Sequence, residues 1–285
     1  SWTRPFEGER FALTFFTTAR DGLSQLAEKI VAAQRPPFRY RPGSTDVNVV
    51  CEVLGARSAY AGPPPGDWRW PDVDFSPRGH RVLDAGAHIG AFSVWALREG
   101  AAAVVAYEPE PSNFELLQAN LEACGAASRA EMHEAAVVAG PPRTAQLILG
   151  KDRSDGVANT WRHAVEGWSH YRAAGGTSAP DAAEPGSVSV RTVPLFGDGG
   201  VLEHEVTFVK LDVEGAELGL LRSYERGAWR RVSRLVVEWS FTKERDVRAF
   251  VDAVRLLEEE GFCVMFEGKG SWERLDRWPW HMDAL

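Results

Sequence analysis

The stretch RVLDAGAHIGAFSVWALR, residues 81–98, decides the fold, because a short apolar run passes within a few residues into a sequence with helical character. Gly86 and Gly90 lack a Cβ atom, so the backbone can turn sharply at both and approach a ligand closely. They stand four residues apart with His88 between them, unlike the G-x-G-x-x-G fingerprint of dinucleotide-binding proteins. We assign all three to a cofactor-binding turn between a strand and a helix; a tight turn without a ligand is the simpler alternative.

Two acidic residues flank this turn in a way that suits a nucleoside cofactor with a cationic end. Asp84 precedes Gly86 by two residues, where a carboxylate attracts a cationic amino acid group, such as that of S-adenosylmethionine, and repels a pyrophosphate. Glu108 ends the next apolar run, where a carboxylate at a strand tip can accept ribose hydroxyls. A solvated acid at a strand end is the alternative for Glu108. Asn113, which opens the following helix, is assigned to the same cofactor site.

The third apolar run, residues 130–138, has no sharp motif but carries Glu134 and Ala135 near its carboxyl end. An adenine ring fits against small residues at such a position, so both residues are assigned to the cofactor site. A polar strand edge followed by core alanines explains the same residues equally well.

Short apolar runs alternate with helix-periodic segments from Arg81 onward, which is typical of a parallel sheet covered by helices. We therefore predict an α/β, Rossmann-like, doubly wound domain over residues 81–285, preceded by a small N-terminal cap, residues 1–80, that is dense in Pro and Gly. The predicted strands are 81–86, 103–108, 130–138, 206–212, 233–239 and 261–267. The predicted helices are 90–98, 111–124, 215–225 and 244–260, with 22–33 and 46–56 as helical segments of the cap.

The segment VTFVKLDVE, residues 206–214, places charged residues within an apolar run. Lys210, Asp212 and Glu214 alternate with apolar residues, so they share one face of a strand expected to lie centrally in the sheet. Buried charges are costly unless paired or used, and an ion pair between Lys210 and Asp212 is the structural explanation. The next predicted strand ends in Glu238, so two strand ends bring carboxylates to the edge where α/β sheets bind ligands.

Three motifs together resemble the FkbM family of methyltransferases: VLDAGAHIGAFS, YEPEPSNFELLQANL, and above all FVKLDVEGAELGLL followed by LVVEWS. The resemblance covers residues 81–268. It implies a class I methyltransferase fold with a mostly parallel, seven-stranded sheet and S-adenosylmethionine as cofactor. It also implies, as is usual in the family, methyl transfer to an oxygen of a small molecule or sugar, often in natural-product assembly. Family members typically carry Asn where this sequence has His88.

Methyl transfer to an alcohol needs a close, in-line oxygen whose proton is removed or whose developing charge is stabilised. Under the resemblance, Asp212, Glu214 or Glu238 is the base and Lys210 steers the alkoxide. Alternatively, Asp212 and Glu238 hold Mg²⁺, because oxygen ligands suit a hard cation that acidifies a bound hydroxyl. The sequence leaves these alternatives open.

Residues 151–187 interrupt the alternation with a segment rich in Gly, Ala and Pro that also contains aromatic and histidine side chains. Long loops inside compact domains are often functional. We predict that this loop, with part of the cap, covers the acceptor and contacts it through Trp161, His163, Trp168 and Tyr171. A surface insertion whose tryptophans pack locally is the alternative.

The whole-chain composition narrows the partners. A net charge of −8 and an isoelectric point near 5.5 disfavour nucleic acid, so a small-molecule acceptor is expected. The sequence shows neither an apolar run of membrane-helix length nor a signal-peptide pattern. Cys51, Cys124 and Cys263 share no metal-ligand spacing and suit a reducing compartment, so we expect a cytoplasmic protein. A homodimer is one possible assembly.

Two other classes of function compete with methyl transfer. A nicotinamide-dependent oxidoreductase would share the strand, the turn and the second acid, but is expected to carry G-x-G-x-x-G. A non-catalytic cofactor-binding module would keep Asp84 and Glu108 without needing charged residues at the fourth strand. The cluster of Lys210, Asp212 and Glu214 therefore favours an enzyme.

Overall fold

The computed structural model describes residues 10–15, 24–55, 58–62, 73–126, 128–152, 156–167, 186–203, 205–223, 227–239, 244–268 and 271–274. Its α-helices are α1 (Ser24–Ala33), α2 (Asp46–Val53), α3 (Ala91–Arg98), α4 (Pro111–Ala123), α5 (Glu217–Arg222) and α6 (Glu244–Glu259). Its strands are β1 (Arg10–Phe15), β2 (Arg81–Ala85), β3 (Ala103–Tyr107), β4 (Ala130–His133), β5 (Ala136–Val138), β6 (Thr144–Ile148), β7 (Ala164–Val165), β8 (Ser187–Pro194), β9 (Phe208–Leu211), β10 (Arg234–Glu238), β11 (Phe262–Gly268) and β12 (Ser271–Arg274). In this described part no helix is long and apolar enough to cross a bilayer.

The larger sheet has the strand order β12-β11-β1-β10-β9-β2-β3-β4. Every neighbouring pair is parallel except β11 and β12, so the prediction of a mostly parallel α/β sheet is confirmed. In the described residues this sheet has eight strands and not the expected seven. Besides the six strands predicted from the sequence pattern, it contains β1 and β12.

A smaller sheet, with the order β5-β8-β6-β7, continues the chain after β4. The prediction of one strand over residues 130–138 is wrong, because β4 ends at His133 and β5 begins at Ala136 in the other sheet. Glu134 and Ala135 form the corner between the two sheets, which changes the side chains that can face a ligand.

Hydrophobic side chains pack on both faces of the larger sheet, as a doubly wound sheet requires. Neighbouring residues of β2 show this, because successive side chains of a strand point to opposite faces. Val82 belongs to a core shared with α1, α2, α3 and α4, whereas Leu83 belongs to a core shared with α5 and α6.

The N-terminal region is not a separate cap in the described residues. β1 lies between β10 and β11 and pairs in parallel with both, so residues 10–15 belong to the larger sheet. α2 buries Val47 and Val50 in the same core as α3. The predicted boundary at residue 80 marks a change in sequence character and does not divide the hydrophobic core.

Candidate active site

A cavity with about 1080 Å³ of empty space lies where β2, β3, β9 and β10 end. Ligands bind at this edge of parallel sheets. Most of the residues that the sequence assigned to a site line it, namely Gly86, His88, Glu108, Asn113, Trp161, His163, Lys210, Asp212, Glu214 and Glu238. Asp84, Gly90, Glu134 and Ala135 do not line it, and Trp168 and Tyr171 lie outside the described residues.

The turn after β2 requires glycine at two positions, because neighbouring atoms of the protein leave no room for a Cβ atom there. Gly86 has a φ of 80°, and a Cβ atom there would lie 1.7 Å from the carbonyl oxygen of Asp212. Gly90 has a φ of 83°, and its Cβ atom would lie 2.7 Å from Leu117 Cδ1. The predicted turn between strand and helix is confirmed. At Gly86 its backbone contacts the backbone of Asp212, directly after β9.

Asp84 is enclosed beneath the cavity. It is fully buried, Ser93 donates a 2.6 Å hydrogen bond to its Oδ2, and Lys210 Nζ lies 3.2 Å from its Oδ1. The expectation that Asp84 itself meets the cationic end of a cofactor does not agree with this geometry. Asp212, whose side chain is 24% exposed, presents its carboxylate to the cavity instead.

Lys210 links the turn to the end of β9. Its Nζ donates to the carbonyl oxygen of Gly86 at 2.7 Å and lies 3.2 Å from Asp212 Oδ2. Burial by itself would lower the pKa of Lys210, but the carboxylates of Asp212 and Asp84 raise it above its ordinary value. The predicted ion pair with Asp212 is therefore present, and the same ammonium also faces the cavity.

Glu108 is a buried carboxylate that protein donors hold at the cavity wall. Its Oε2 accepts the backbone N–H of His88 at 2.7 Å, and its Oε1 accepts the backbone N–H of Glu110 at 3.0 Å. Asn113 Nδ2 donates to the same Oε1 at 3.4 Å. Burial raises the pKa of Glu108 above its ordinary value, partly offset by these neighbours. Oε2, which accepts one of these hydrogen bonds, has capacity for another.

The loop after β9 is held by Glu217, whose role the sequence analysis did not assign. Its Oε1 accepts the backbone N–H groups of Val213 at 3.0 Å and Gly215 at 3.2 Å. Burial raises the pKa of Glu217 to about 7. Glu214, with a φ of 52°, lies within this loop. Burial and the carboxylates of Asp212 and Glu217 raise its pKa well above the ordinary value, which favours its neutral form.

The N-terminal region contributes side chains that the sequence did not single out. Val49, Glu52 and Val53 from α2, with Tyr60, line the cavity. The Tyr60 ring packs edge-on against Phe92 at a centroid distance of 4.7 Å, and Lys210 Nζ lies 5.9 Å from its centre. Part of residues 1–80 thus lines the cavity, and its contact with the acceptor stays a prediction.

The wall formed by the smaller sheet is apolar. Ala136, Val137, Leu147 and Val165 line the cavity there. Glu134 and Ala135, the predicted adenine contacts, lie between β4 and β5 and do not line the cavity, whereas Ala136 of β5 does.

The described part of the 151–187 loop reaches the cavity through Trp161 and His163. Gly150 donates its backbone N–H to His163 Nδ1 at 3.1 Å. Burial lowers the pKa of His163 to about 4, so its ring is neutral near pH 7. Its low pKa and the hydrogen bond that Nδ1 already accepts make this ring a weak base.

Asp212 and Glu238, the predicted magnesium ligands, both line the cavity. Among the described residues, no group of three or more His, Cys, Asp or Glu side chains has an arrangement that could hold a metal ion. Asp212 Oδ2 is engaged by Lys210 at 3.2 Å, which places an ammonium beside the carboxylate that the metal hypothesis requires.

A mostly parallel α/β sheet, a glycine turn after β2 and a buried carboxylate after β3 are features shared with α/β proteins that bind nucleotides at this edge of the sheet. The chain belongs to the FkbM methyltransferase domain family, whose sequence model matches residues 84–264. It is thus a member of a methyltransferase family, and the two rival classes of function lose their support.

Two relatives carry methyltransferase names. Methyltransferase 1 of Beauveria bassiana (strain ARSEF 2860) is 28% identical over 211 residues, covering 69% of this chain and 77% of that protein. Methyltransferase sdnD of Sordaria araneosa is 26% identical over 206 residues, covering 68% of this chain and 77% of that protein. Among solved structures, the FkbM methyltransferase from Methylobacillus flagellatus KT aligns with a TM-score of 0.42 and 16% identity, over 88% of this chain and 57% of its own length.

Proposed function

We propose that the protein transfers the methyl group of S-adenosylmethionine to an oxygen of a small-molecule acceptor of the natural-product or sugar type. The observation that carries the proposal is the composition of one cavity. Gly86 and Glu108 line the same cavity as Lys210, Asp212 and Glu238. A binding site for a nucleoside and a set of charged groups suited to proton transfer therefore share one space.

The residues present fit this cofactor. The lining combines apolar side chains with a few charged and polar groups, which is the usual composition of a site for a small-molecule ligand or cofactor. Glu108 would accept the ribose hydroxyls, the small side chains Ala136 and Val137 would contact the adenine, and Asp212 would face the cationic amino acid end. When bound, S-adenosylmethionine supplies an electrophilic methyl group.

The charged residues of the chain would manage the acceptor proton. The carboxylate of Asp212 or Glu238 would take the proton of the acceptor hydroxyl as that oxygen receives the methyl group. Lys210 would stabilise negative charge that develops on the acceptor oxygen. Glu214, favoured in its neutral form, would donate a hydrogen bond rather than act as the base.

Calorimetry with S-adenosylmethionine, S-adenosylhomocysteine and NADH tests the cofactor. We expect both sulfur compounds to bind with micromolar affinity and Glu108→Ala to weaken binding by roughly 1–3 kcal/mol, the range for hydrogen bonds to a charged group. Glu134→Gln is the matched control, because Glu134 is exposed and does not line the cavity. Binding of NADH without either sulfur compound would overturn the proposal. Transfer of radiolabelled methyl to a panel of hydroxylated acceptors then tests the reaction.

A further inference from the structure

The N-terminal region places an ion pair with a buried carboxylate next to the cofactor turn. Asp46, the first residue of α2, is fully buried. Its Oδ2 lies 2.8 Å from Arg41 Nε, and Arg41 Nη2 donates to its Oδ1 at 3.0 Å. The backbone N–H of Arg41 donates to Oδ2 as well, at 2.9 Å. The Asp46 carboxylate thus accepts hydrogen bonds from three N–H donors of one arginine.

The pair reaches one oxygen of Glu108 through His88. Asp46 Oδ1 lies 3.3 Å from His88 Nε2 and accepts a 2.6 Å hydrogen bond from the hydroxyl of Thr160. The backbone N–H of His88 in turn donates to Glu108 Oε2 at 2.7 Å. His88 has a φ of 51°, a left-handed conformation that is uncommon for residues other than Gly and Asn. The contact of its ring with Asp46 therefore helps to hold the backbone that meets Glu108.

The pair reaches the other oxygen of Glu108 through Asn113. Arg41 Nη2 donates to Asn113 Oδ1. Asn113 Nδ2 donates to Glu108 Oε1 at 3.4 Å and to the carbonyl oxygen of Thr160 at 2.8 Å. Two contact paths thus connect one ion pair of the N-terminal region with both oxygens of one carboxylate.

We infer that Arg41 and Asp46 are positioning residues for the cofactor, acting on Glu108 through His88 and Asn113. This assignment rests on the proposed function, because Glu108 matters only as the group that accepts the ribose hydroxyls. It makes the N-terminal region part of the cofactor site as well as a neighbour of the acceptor.

The charge state of Asp46 is consistent with such a role. Burial by itself would raise the pKa of Asp46, but hydrogen bonds from His88, Arg41 and Thr160 hold it well below its ordinary value. The carboxylate therefore remains an acceptor for the His88 ring throughout the pH range in which the protein would work. A buried ion pair is weak evidence for stability, since apolar residues of similar volume often stabilise as well.

The test is a double-mutant cycle with S-adenosylhomocysteine as the calorimetric probe. Asp46→Asn should weaken binding about tenfold, in line with the loss of a hydrogen bond to a charged group. His88→Asn removes the ring yet tolerates a positive φ, so it breaks the connection while preserving the turn. In the His88→Asn background only the path through Arg41 and Asn113 remains, so Asp46→Asn should weaken binding further by much less than tenfold.

Two further variants separate positioning from folding. Val50→Ala changes a fully buried residue of the same helix that does not line the cavity. It should lower the melting temperature without changing the affinity for S-adenosylhomocysteine. Arg41→Gln serves as a second variant if Asp46→Asn does not fold, because the Arg41 side chain is 31% exposed. It should weaken binding of S-adenosylhomocysteine several-fold, because the contact of Arg41 with Asn113 is lost.

The outcomes distinguish the inference from the proposed function. If the unaltered protein does not bind S-adenosylhomocysteine, the proposed function fails and this inference fails with it. If the unaltered protein binds, the inference alone is overturned by an unchanged affinity in Asp46→Asn, or by an equal loss in the presence and absence of the His88 ring.

Discussion

The two halves of the cavity are built on different physical principles. In the cofactor half, Glu108 is fixed by N–H donors from His88, Glu110 and Asn113, so its position is set before any ligand arrives. In the acceptor half, position depends on charge, because Lys210 Nζ lies 3.2 Å from both Asp212 and Asp84. Hydrogen bonds to backbone fix a shape, whereas buried ion pairs fail as a unit when one partner is removed. Substitutions in the two halves should therefore differ in kind as well as in size.

Removal of the ammonium should produce the largest effect. Lys210→Met leaves Asp84 fully buried beside Ser93 without its cation, which should cost roughly 3–5 kcal/mol of folding free energy, and methyl transfer should be lost. Chemical denaturation measures the first effect and radiolabel transfer the second. Adding Asp84→Asn to Lys210→Met should recover much of the stability without restoring transfer. A single Lys210→Met variant as stable as the parent would show that the acceptor half does not depend on this pair.

Removal of the candidate base separates catalysis from binding. Asp212→Asn or Glu238→Gln, whichever residue takes the acceptor proton, should lower kcat by about 10²- to 10⁴-fold, the usual contribution of a general base. The affinity for S-adenosylhomocysteine should stay within a few-fold after Glu238→Gln. A matched Glu134→Gln variant, outside the cavity, should leave both quantities unchanged. Wild-type kcat in both acceptor-half variants would remove the proton-transfer assignment.

Glu217 should make stability depend on pH. Its pKa of about 7 in the folded protein exceeds the ordinary value of 4.5, so the fold favours the protonated form. This contribution is fully present below pH 4.5 and is lost as pH rises towards 7, by roughly 3 kcal/mol for a shift of this size. Glu217→Gln, which keeps an acceptor for Val213 and Gly215, should abolish that decline. Denaturation midpoints of both proteins from pH 4.5 to 8 measure it, and parallel curves would contradict the assignment.

Chelation should have the smallest effect. Because Lys210 already engages Asp212 Oδ2, we expect transfer to continue at an unchanged rate in excess EDTA. Steady-state rates before and after dialysis against EDTA measure this, with a rate after adding back Mg²⁺ as the control. Loss of activity in EDTA that Mg²⁺ restores would instead support Asp212 and Glu238 as metal ligands.

The sequence revealed the parts of the site that are local in the chain. Gly86, Gly90 and Glu108 follow from the pattern of strand, turn and strand, because their roles depend on neighbours a few residues away. Glu217 lies in the quoted motif FVKLDVEGAELGLL, but its hydrogen bonds to the backbone of the loop could not be deduced from spacing alone.

Other parts of the site arise from contacts between distant segments. Tyr60 and Asp46 meet the cavity or its turn only because α2 packs on the sheet, and their own neighbourhood in the chain carries no ligand signal. Asp84 was placed in the right turn but was assigned a ligand, since nothing in the pattern showed that Lys210 would enclose it. The end of β4 before β5 also could not be predicted from the pattern. Ala136 of β5 lines the cavity, whereas the predicted Ala135 does not.

The position of β1 has a consequence for how the chain acquires its structure. Residues 10–15 are synthesised early, yet both strands that flank them, β10 and β11, begin only at Arg234 and Phe262. At ribosomal speeds of roughly 5–20 residues per second, β1 waits on the order of ten seconds or more before either neighbour exists. Contacts so distant in sequence are slow to form, and an unpaired apolar strand is prone to aggregation meanwhile. The central part of the sheet should thus form first, and β1, although it is synthesised well before its partners, should be among the last strands to take its place.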